Sequence, residues 1–219
     1  MTDAYRDGDR DGDCDIGYDL LMQIQQGTMA YRWRGVPMQK NPFDLALYPL
    51  LLDRARPRTL IEIGAFHGGS ALWFVDQGRA LGIDLRVVSI DREPPTAVRD
   101  ERVTFLAGDA HALGRVLSDD VMHALPRPWL VVEDSSHLAS TTAAVLDFFD
   151  PWMRSGEYVV VEDGILSAMR AAERYDGGPL RAIAAFLART SGRYEVDRSL
   201  CDYYGHNVTW NVNGYLRRR

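Results

Sequence analysis

Only two cysteines, Cys14 and Cys201, occur in the 219 residues, and they lie far apart. They form neither a metal-ligand spacing nor a disulfide framework, so a reducing, cytoplasmic setting is expected. No apolar run approaches the ~18 residues that a membrane-spanning helix needs, and the first residues are acidic rather than signal-like. No membrane role is expected. Long basic stretches are missing as well: the net charge is −6, and Arg217-Arg218-Arg219 reads as a solvated end. That balance argues against a nucleic-acid partner. Gly-x-Ser-x-Gly, Cys-x-x-Cys and Gly-x-x-x-x-Gly-Lys are all absent, which removes the usual support for a hydrolase or nucleotidase. What remains is a globular composition. With 46% hydrophobic residues the chain can bury a sizeable core, and its length suits one main domain.

The stretch Thr59–Ser70 organises the rest. A short β-branched, apolar run, Thr59-Leu60-Ile61-Glu62-Ile63, meets Gly64, Gly68 and Gly69. The helix-like Ser70-Ala71-Leu72-Trp73-Phe74-Val75 follows. This is the outline of a buried parallel strand, a tight turn and a helix start. Glycines there let a ligand approach the main chain, and free N–H groups at the helix start favour a carboxylate or phosphate. Glu62 is placed to accept hydrogen bonds from an amine or a ribose. The loop implies a nucleotide-like cofactor without saying which.

Residues 1–15 carry six aspartates without the EF-hand closure and read as an acidic, disordered tail. Residues 16–58 read as a helical and lid segment. A short helix is expected over Gly17–Gly27, then aromatics without clear period at Tyr31 and Trp33, then a helix around Leu45–Leu52. Residues 59–219 form the main domain. After the glycine loop a helix should run to about Gln77, where Gly78 and Gly82 break the pattern. Strands follow at Leu85–Asp91, Val103–Ala107, Trp129–Asp134 and Tyr158–Asp163. Helices are expected at Ala110–Leu117, Ala139–Met153 and Leu180–Leu187. Tyr194–Asp197 and Gly214–Arg217 lie too close for a crossover helix and read as an antiparallel pair. The whole is an α/β, doubly wound, mostly parallel sheet of seven strands with an antiparallel C-terminal hairpin. Asp91 and Asp109 each fall at the carboxyl end of a strand. Asp91 suits a ribose and Asp109 an adenine, with helix N-capping as the alternative for either.

Two strands end alike, in Val-Val-Glu133-Asp134 and Val-Val-Glu162-Asp163. Their carboxylates should converge on the glycine-loop edge of the sheet. Clustered carboxylates repel unless a cation or protons compensate, so Mg²⁺ with waters left for substrate oxygens fits best. Neighbours in a strand point to opposite faces, so only one of Glu133 and Asp134 faces the site. Asp134 is the expected one, because Ser135–His137 continue from it into the loop. Glu162 and Asp163 sit where their strand breaks, and both can reach a metal. The alternatives are N-capping or pairing with arginines. His137, at a helix start, suits a general base that takes a proton from a substrate hydroxyl. His67 and His111 fall on cofactor segments, and His206 falls in a late loop.

Several of these motifs together resemble the cephalosporin hydroxylase / rhamnosyl O-methyltransferase family. They are Tyr31-x-Trp33-x-Gly35-Val36-Pro37, Ile61-Glu62-Ile63-Gly64 with Gly68-Gly69-Ser70-Ala71, Asp134-Ser135-x-His137, Val161-Glu162-Asp163-Gly164 and Asn213-Gly214-Tyr215-Leu216. The resemblance implies a Rossmann-like methyltransferase sheet with a reversed last strand and S-adenosylmethionine as cofactor. It implies Asp134, Glu162 and Asp163 as magnesium ligands. Glu62, Gly64, Gly68 and Ser70 would line the cofactor pocket, with Asp91 on the ribose, Asp109 near the adenine and His137 beside the metal. The chain departs from the family pattern at the extra acid Glu133, and in Ile165–Gly178, which carries no recognisable signature although it should shape the substrate pocket.

The expected activity is Mg²⁺-dependent O-methylation of a hydroxyl on a small natural product, a sugar or tailored secondary metabolite of the antibiotic type. Tyr31, Trp33 and His206 are expected to close over the substrate. Apolar residues of the N-terminal segment would serve a homo-oligomer contact. Three rivals stay open: a hydroxylase-type component or partner subunit of an antibiotic-tailoring system, an S-adenosylmethionine-binding protein without catalysis, and a nicotinamide-dependent oxidoreductase. The last lacks its Gly-x-Gly-x-x-Gly spacing, because Ala65, Phe66 and His67 separate Gly64 from Gly68.

Overall fold

Continuous apolar runs make the centre of this molecule, because a parallel strand covered on both faces has no solvent side to make polar. The computed structural model describes residues 12–219. Most of the acidic tail expected over residues 1–15 therefore lies outside the described residues. Its last part is seated on the opposite end of the chain: the Asp15 N–H donates to the His206 carbonyl (3.0 Å) and Asn207 Nδ2 to the Asp13 carbonyl (2.8 Å).

In chain order come α1 (Tyr18–Ala30), β1 (Arg32–Trp33), β2 (Val36–Pro37), α2 (Pro42–Ala55), β3 (Thr59–Ile63), α3 (Gly69–Ala80), β4 (Arg86–Asp91) and β5 (Val103–Ala107). Then follow α4 (Asp119–Ala124), β6 (Trp129–Glu133), α5 (Ala139–Phe149), β7 (Tyr158–Val161), α6 (Gly178–Thr190), β8 (Tyr194–Val196), α7 (Arg198–Cys201) and β9 (Tyr215–Arg218). One seven-stranded sheet has the order β5-β4-β3-β6-β7-β9-β8. The first five of these are parallel, and β9 runs antiparallel to both β7 and β8. Every residue of β3, β6 and β7 is buried. The expected sheet is present, with the last strand inserted between β7 and β8. No helix of the described residues is long and apolar enough to cross a membrane.

Local differences from the sequence reading have physical causes. The aromatic segment without period is a β1–β2 hairpin, turned by Arg34 (φ 49°) and Gly35 (φ 80°), the two left-handed residues such a turn requires. Gly78 does not break α3. A Cβ there would lie 2.8 Å from Leu85 Cβ, so the glycine is a contact point for the approach to β4. α5 stops at Phe149 because Pro151 follows closely. The helix expected over Ala110–Leu117 is a 3₁₀ stretch, Ala110–Arg115, interrupted at Ala112 (φ −138°), and the short α4 follows it before β6.

The chain leaves β3 toward β4 and β5, then returns to β6 on the other side. The crevice between the carboxyl ends of β3 and β6 is therefore the switch point where open α/β sheets bind ligands. Gly64 lies in it at φ 104°, and a Cβ on it would come within 2.0 Å of the Asp134 carbonyl oxygen. Only glycine lets these two main chains approach so closely.

A buried carboxylate fastens the N-terminal segment to this edge. Asn41 caps α2 by accepting from the Phe43 and Asp44 N–H groups, and Asp44 turns inward. Its carboxylate accepts from Tyr215 OH (2.9 Å), the Trp210 N–H (3.0 Å), Thr209 Oγ1 and Asn41 Nδ2. Burial pushes the Asp44 pKa up, and those donors oppose the shift. Asp44→Ala orphans these donors at once and is expected to lower stability by about 3 kcal/mol or more, read as a shift in the denaturant midpoint.

Candidate functional site

Two cavities open along this crevice. The first, about 320 Å³, is lined by Gly64, Asp91, Asp109, Ser135 and Thr141 among others. Asp91 Oδ2 accepts from the Ala65 and Phe66 N–H groups (3.0 and 3.1 Å), and its Oδ1 accepts from the Glu93 N–H (2.9 Å). The glycine loop is thus pinned to the end of β4. Asp109 does cap the 3₁₀ turn after it, accepting from the His111 N–H at 2.8 Å, and it also faces the cavity. His111 lines the same cavity, its ring nitrogen 3.1 Å from Thr141 Oγ1.

The second cavity, about 400 Å³, contains Ser70 and the acidic strand ends. Gly64, Phe66, Asp134 and Ser135 belong to both walls, so the two spaces meet at the β3–β6 crevice. Of the residues expected to hold a cofactor, Gly64, Ser70, Asp91 and Asp109 reach a cavity wall. Glu62 and Gly68 line neither of these two. Glu62 is fully buried, accepting from Ser89 Oγ at 2.5 Å, and its Oε1 has no hydrogen-bond partner among the described residues. Burial raises its pKa, partly offset by Lys40 and the Ser70 and Ser89 hydroxyls.

Asp134, His137 and Asp163 each offer one ligand atom, and these atoms lie within 4.8 Å of one another. His137 Nδ1 is 3.2 Å from Asp163 Oδ2. Both residues are left-handed (φ 59° and 58°), a conformation that Asp and His tolerate better than most and that concentrates at functional sites. The Tyr175 ring stands edge-on to the His137 ring at 5.8 Å. Glu162 belongs to the same region but is engaged: Oε1 accepts from Tyr48 OH (2.5 Å) and Oε2 from Lys40 Nζ (2.5 Å). Lys40 Nζ also donates to Asp134 Oδ2 at 2.6 Å. The acids are therefore paired with a lysine rather than with arginines. Burial and the Asp134 charge push the Glu162 pKa well up, against Lys40 and Tyr48. For Lys40, burial alone would lower the pKa; Asp134, Glu162 and Glu62 more than reverse this and hold it protonated.

Asp134 lines both cavities, and Glu133 turns away into the interior. Lys40, Tyr48 and Tyr175 escaped the sequence reading. Lys40 left one compositional signal: it is the only lysine among the 25 lysines and arginines. Trp33 and His206, expected to close over a substrate, lie elsewhere. Trp33 Nε1 donates to Asp76 Oδ2 (2.8 Å), and His206 is paired with Asp202. Tyr31 packs on the core. The outer wall comes instead from Gln25, Met29, Met38, Leu166, Met169 and Trp210.

A seven-stranded sheet with a reversed last strand, carrying a glycine loop and an acid cluster on one edge, defines an α/β enzyme of the methyltransferase type. The comparisons carry this further. The family model described as Rhamnosyl O-methyltransferase/CmcI matches residues 25–219, and the chain belongs to that family. It is an S-adenosylmethionine-dependent O-methyltransferase. The chain is similar to the rhamnosyl O-methyltransferase of Mycobacterium leprae, 28% identical over 193 residues that cover 85% of this chain and 82% of that protein. The corresponding protein of Mycobacterium tuberculosis H37Rv is 25% identical, with 85% and 77% covered. Among solved structures, CmcI with Mg and SAM superposes with a TM-score of 0.68 at 26% identity, covering 87% of this chain and 77% of that one. An apo structure of CmcI gives 0.69 at 26% identity, covering 96% and 86%.

Glu133 offers a direct test of the electrostatics. Burial pushes its pKa from 4.5 up to about 7, while Ser135 Oγ donates to Oε1 (2.6 Å) and Oε2 is left without a partner among the described residues. The unfolded chain loses this proton near 4.5 and the folded chain keeps it to about 7. Stability therefore falls as pH rises through that window and stays reduced above it. Glu133→Gln removes this dependence. Its stability relative to wild type is expected to be greater at pH 8 than at pH 5 by about 1–3 kcal/mol, measured by chemical denaturation in a chelating buffer.

Proposed function

We propose that this chain methylates a hydroxyl of a small natural-product acceptor, a sugar or tailored secondary metabolite, with Mg²⁺ held at the acid cluster. The observation that carries this reading is the meeting of the two cavities at Gly64, Asp134 and Ser135. A donor bound along the glycine loop and an acceptor bound over the acids would face each other there, the alignment that group transfer requires. The donor set fits a hard divalent ion: Asp134 and Asp163 offer carboxylate oxygens on a wall open to the cavity, and His137 stands close by as the base. Glu162 would complete the set from its place beside Asp134. When bound, S-adenosylmethionine supplies the methyl group and the ion makes the acceptor hydroxyl more acidic.

The chain's own part is to orient the acceptor and remove a proton. His137 Nδ1 lies 3.2 Å from Asp163 Oδ2, and the other ring nitrogen, Nε2, would take the proton of the acceptor hydroxyl. The edge of Tyr175 limits how that ring can turn. Met29, Met38, Leu166 and Met169 offer the body of the acceptor an apolar wall, and Gln25 and Gln39 add amides.

Asp134→Ala is expected to abolish methylation while the fold and S-adenosylhomocysteine binding persist, followed by product mass spectrometry and calorimetry. His137→Ala is expected to lower kcat about 10²–10⁴-fold with little change in cofactor affinity. S-adenosylhomocysteine should raise the melting temperature and NADH should not. Stabilisation by NADH alone would sink the proposal.

A further inference from the structure

The acid cluster already contains a cation of its own. Lys40 is 3% exposed, the only lysine of the chain, and its Nζ bridges two carboxylates that come from different strands, at 2.6 Å (Asp134) and 2.5 Å (Glu162). We propose that Lys40 is the resident counter-cation of this site: it holds Asp134 and Glu162 together before a divalent ion arrives, and the ion's binding acts directly on that ammonium. The inference rests on the reading of the cluster as a divalent-ion site.

The chemistry favours lysine for this task. A compact ammonium has three donors on a flexible stem and can serve two carboxylates lying in different directions, whereas a planar guanidinium is shaped for one carboxylate gripped by its fork. The ammonium pairs with Asp134 and Glu162 and leaves Asp163, on the same wall beside His137, for a divalent ion to join to them. Glu162 gains a second anchor in Tyr48, whose hydroxyl donates to its other oxygen.

The stem is fixed on both sides. Before it, the Met38 N–H donates to the Tyr31 carbonyl (3.1 Å), and the Pro37 carbonyl lies so close to Gly69 that a Cβ there would approach to 2.3 Å. After it, Asn41 caps α2 and bonds to buried Asp44. Lys40 is thereby held against the cavity wall by a segment stitched to α3 and to the C-terminal loop. It is a positioning residue, acting through Asp134 and Glu162.

The experiment compares wild type with Lys40→Met, which keeps the length and removes the charge. In EDTA the variant is expected to melt roughly 6–15 °C below wild type, because buried Glu162 and half-buried Asp134 lose their partner. Saturating Mg²⁺ is expected to recover at least half of that loss and to raise the variant's melting temperature more than the wild type's. A structural ion pair with no bearing on the ion would show the loss without the recovery. Should the variant not fold, the wild type supplies the measurement. With lysine labelled by ¹³C, the chain gives a single set of Cε–Hε resonances, and titration with Mg²⁺ is expected to move them to a saturating shift. A lysine signal that stays still while Mg²⁺ raises the melting temperature, or a methionine variant that Mg²⁺ does not rescue, overturns the role of Lys40 alone. A wild type that responds to Mg²⁺ by neither readout overturns the ion site as well, while S-adenosylhomocysteine binding in the same samples is judged separately.

Discussion

Carboxylates crowded at the ends of two neighbouring parallel strands set the terms for everything around them. The β6–β7 register pairs Glu133 with Val161, and the Glu162 N–H donates to the Glu133 carbonyl at 2.9 Å. Asp134 therefore emerges beside Glu162, and Asp163 turns outward where β7 ends. Buried like charges are tolerable only with partners or protons. Every feature of the region supplies one or the other. Lys40 and Tyr48 serve Glu162, His137 serves Asp163, Ser135 serves Glu133, and Ser89 serves Glu62. The pairing is incomplete, with Glu62 Oε1 and Glu133 Oε2 left without partners among the described residues. Both atoms lie in the interior, off the two cavity walls, and burial pushes the pKa of each carboxyl upward, so protons take the place of partners there.

That constraint explains which parts of the molecule were readable in the sequence. The twin endings Val-Val-Glu-Asp and the glycine loop are local patterns, and parallel pairing turns local patterns into a shared edge. β3, β4, β6 and β7, the antiparallel hairpin and the placement of Asp91, Asp109 and Asp134 all follow from short-range signals of this kind. Glu62 belongs to the same motif yet is fully buried and lines neither of the two cavities, because its side chain turns into the interior beside Ser89. Lys40 meets its partners across 94 and 122 residues of chain, and no periodicity records such a contact. Only the scarcity of its residue type marked it. Gly78 shows the opposite failure. A strong breaker signal was outweighed by close packing on Leu85.

The outer wall of the second cavity was the least readable part, for a related reason. It is assembled from α1, from the approach to α2, from the irregular stretch after β7 and from Trp210, and no two of these adjoin in sequence. Trp33, a reasonable lid candidate from its aromatic character, is occupied instead in holding the β1–β2 hairpin to Asp76. The residues that do face the space include three methionines, Met29, Met38 and Met169, whose unbranched side chains adapt to irregular shapes.

The two halves of the crevice are thus made by different means. The first cavity is made of main chain and strand ends: Gly64 pressed against Asp134, the loop pinned by Asp91, the turn capped by Asp109. Geometry of that kind allows little variation, since a single Cβ at Gly64 would collide with backbone. The second cavity is walled by side chains carried on segments that the sheet does not dictate, held in place by Asp44 and the polar contacts around it. Those side chains can change without disturbing the strand ends. A chain built this way can keep its sheet edge while wall residues such as Leu166, Met169 and Tyr175 change. At about a quarter sequence identity, agreement in the sheet with CmcI is therefore compatible with a differently lined second cavity.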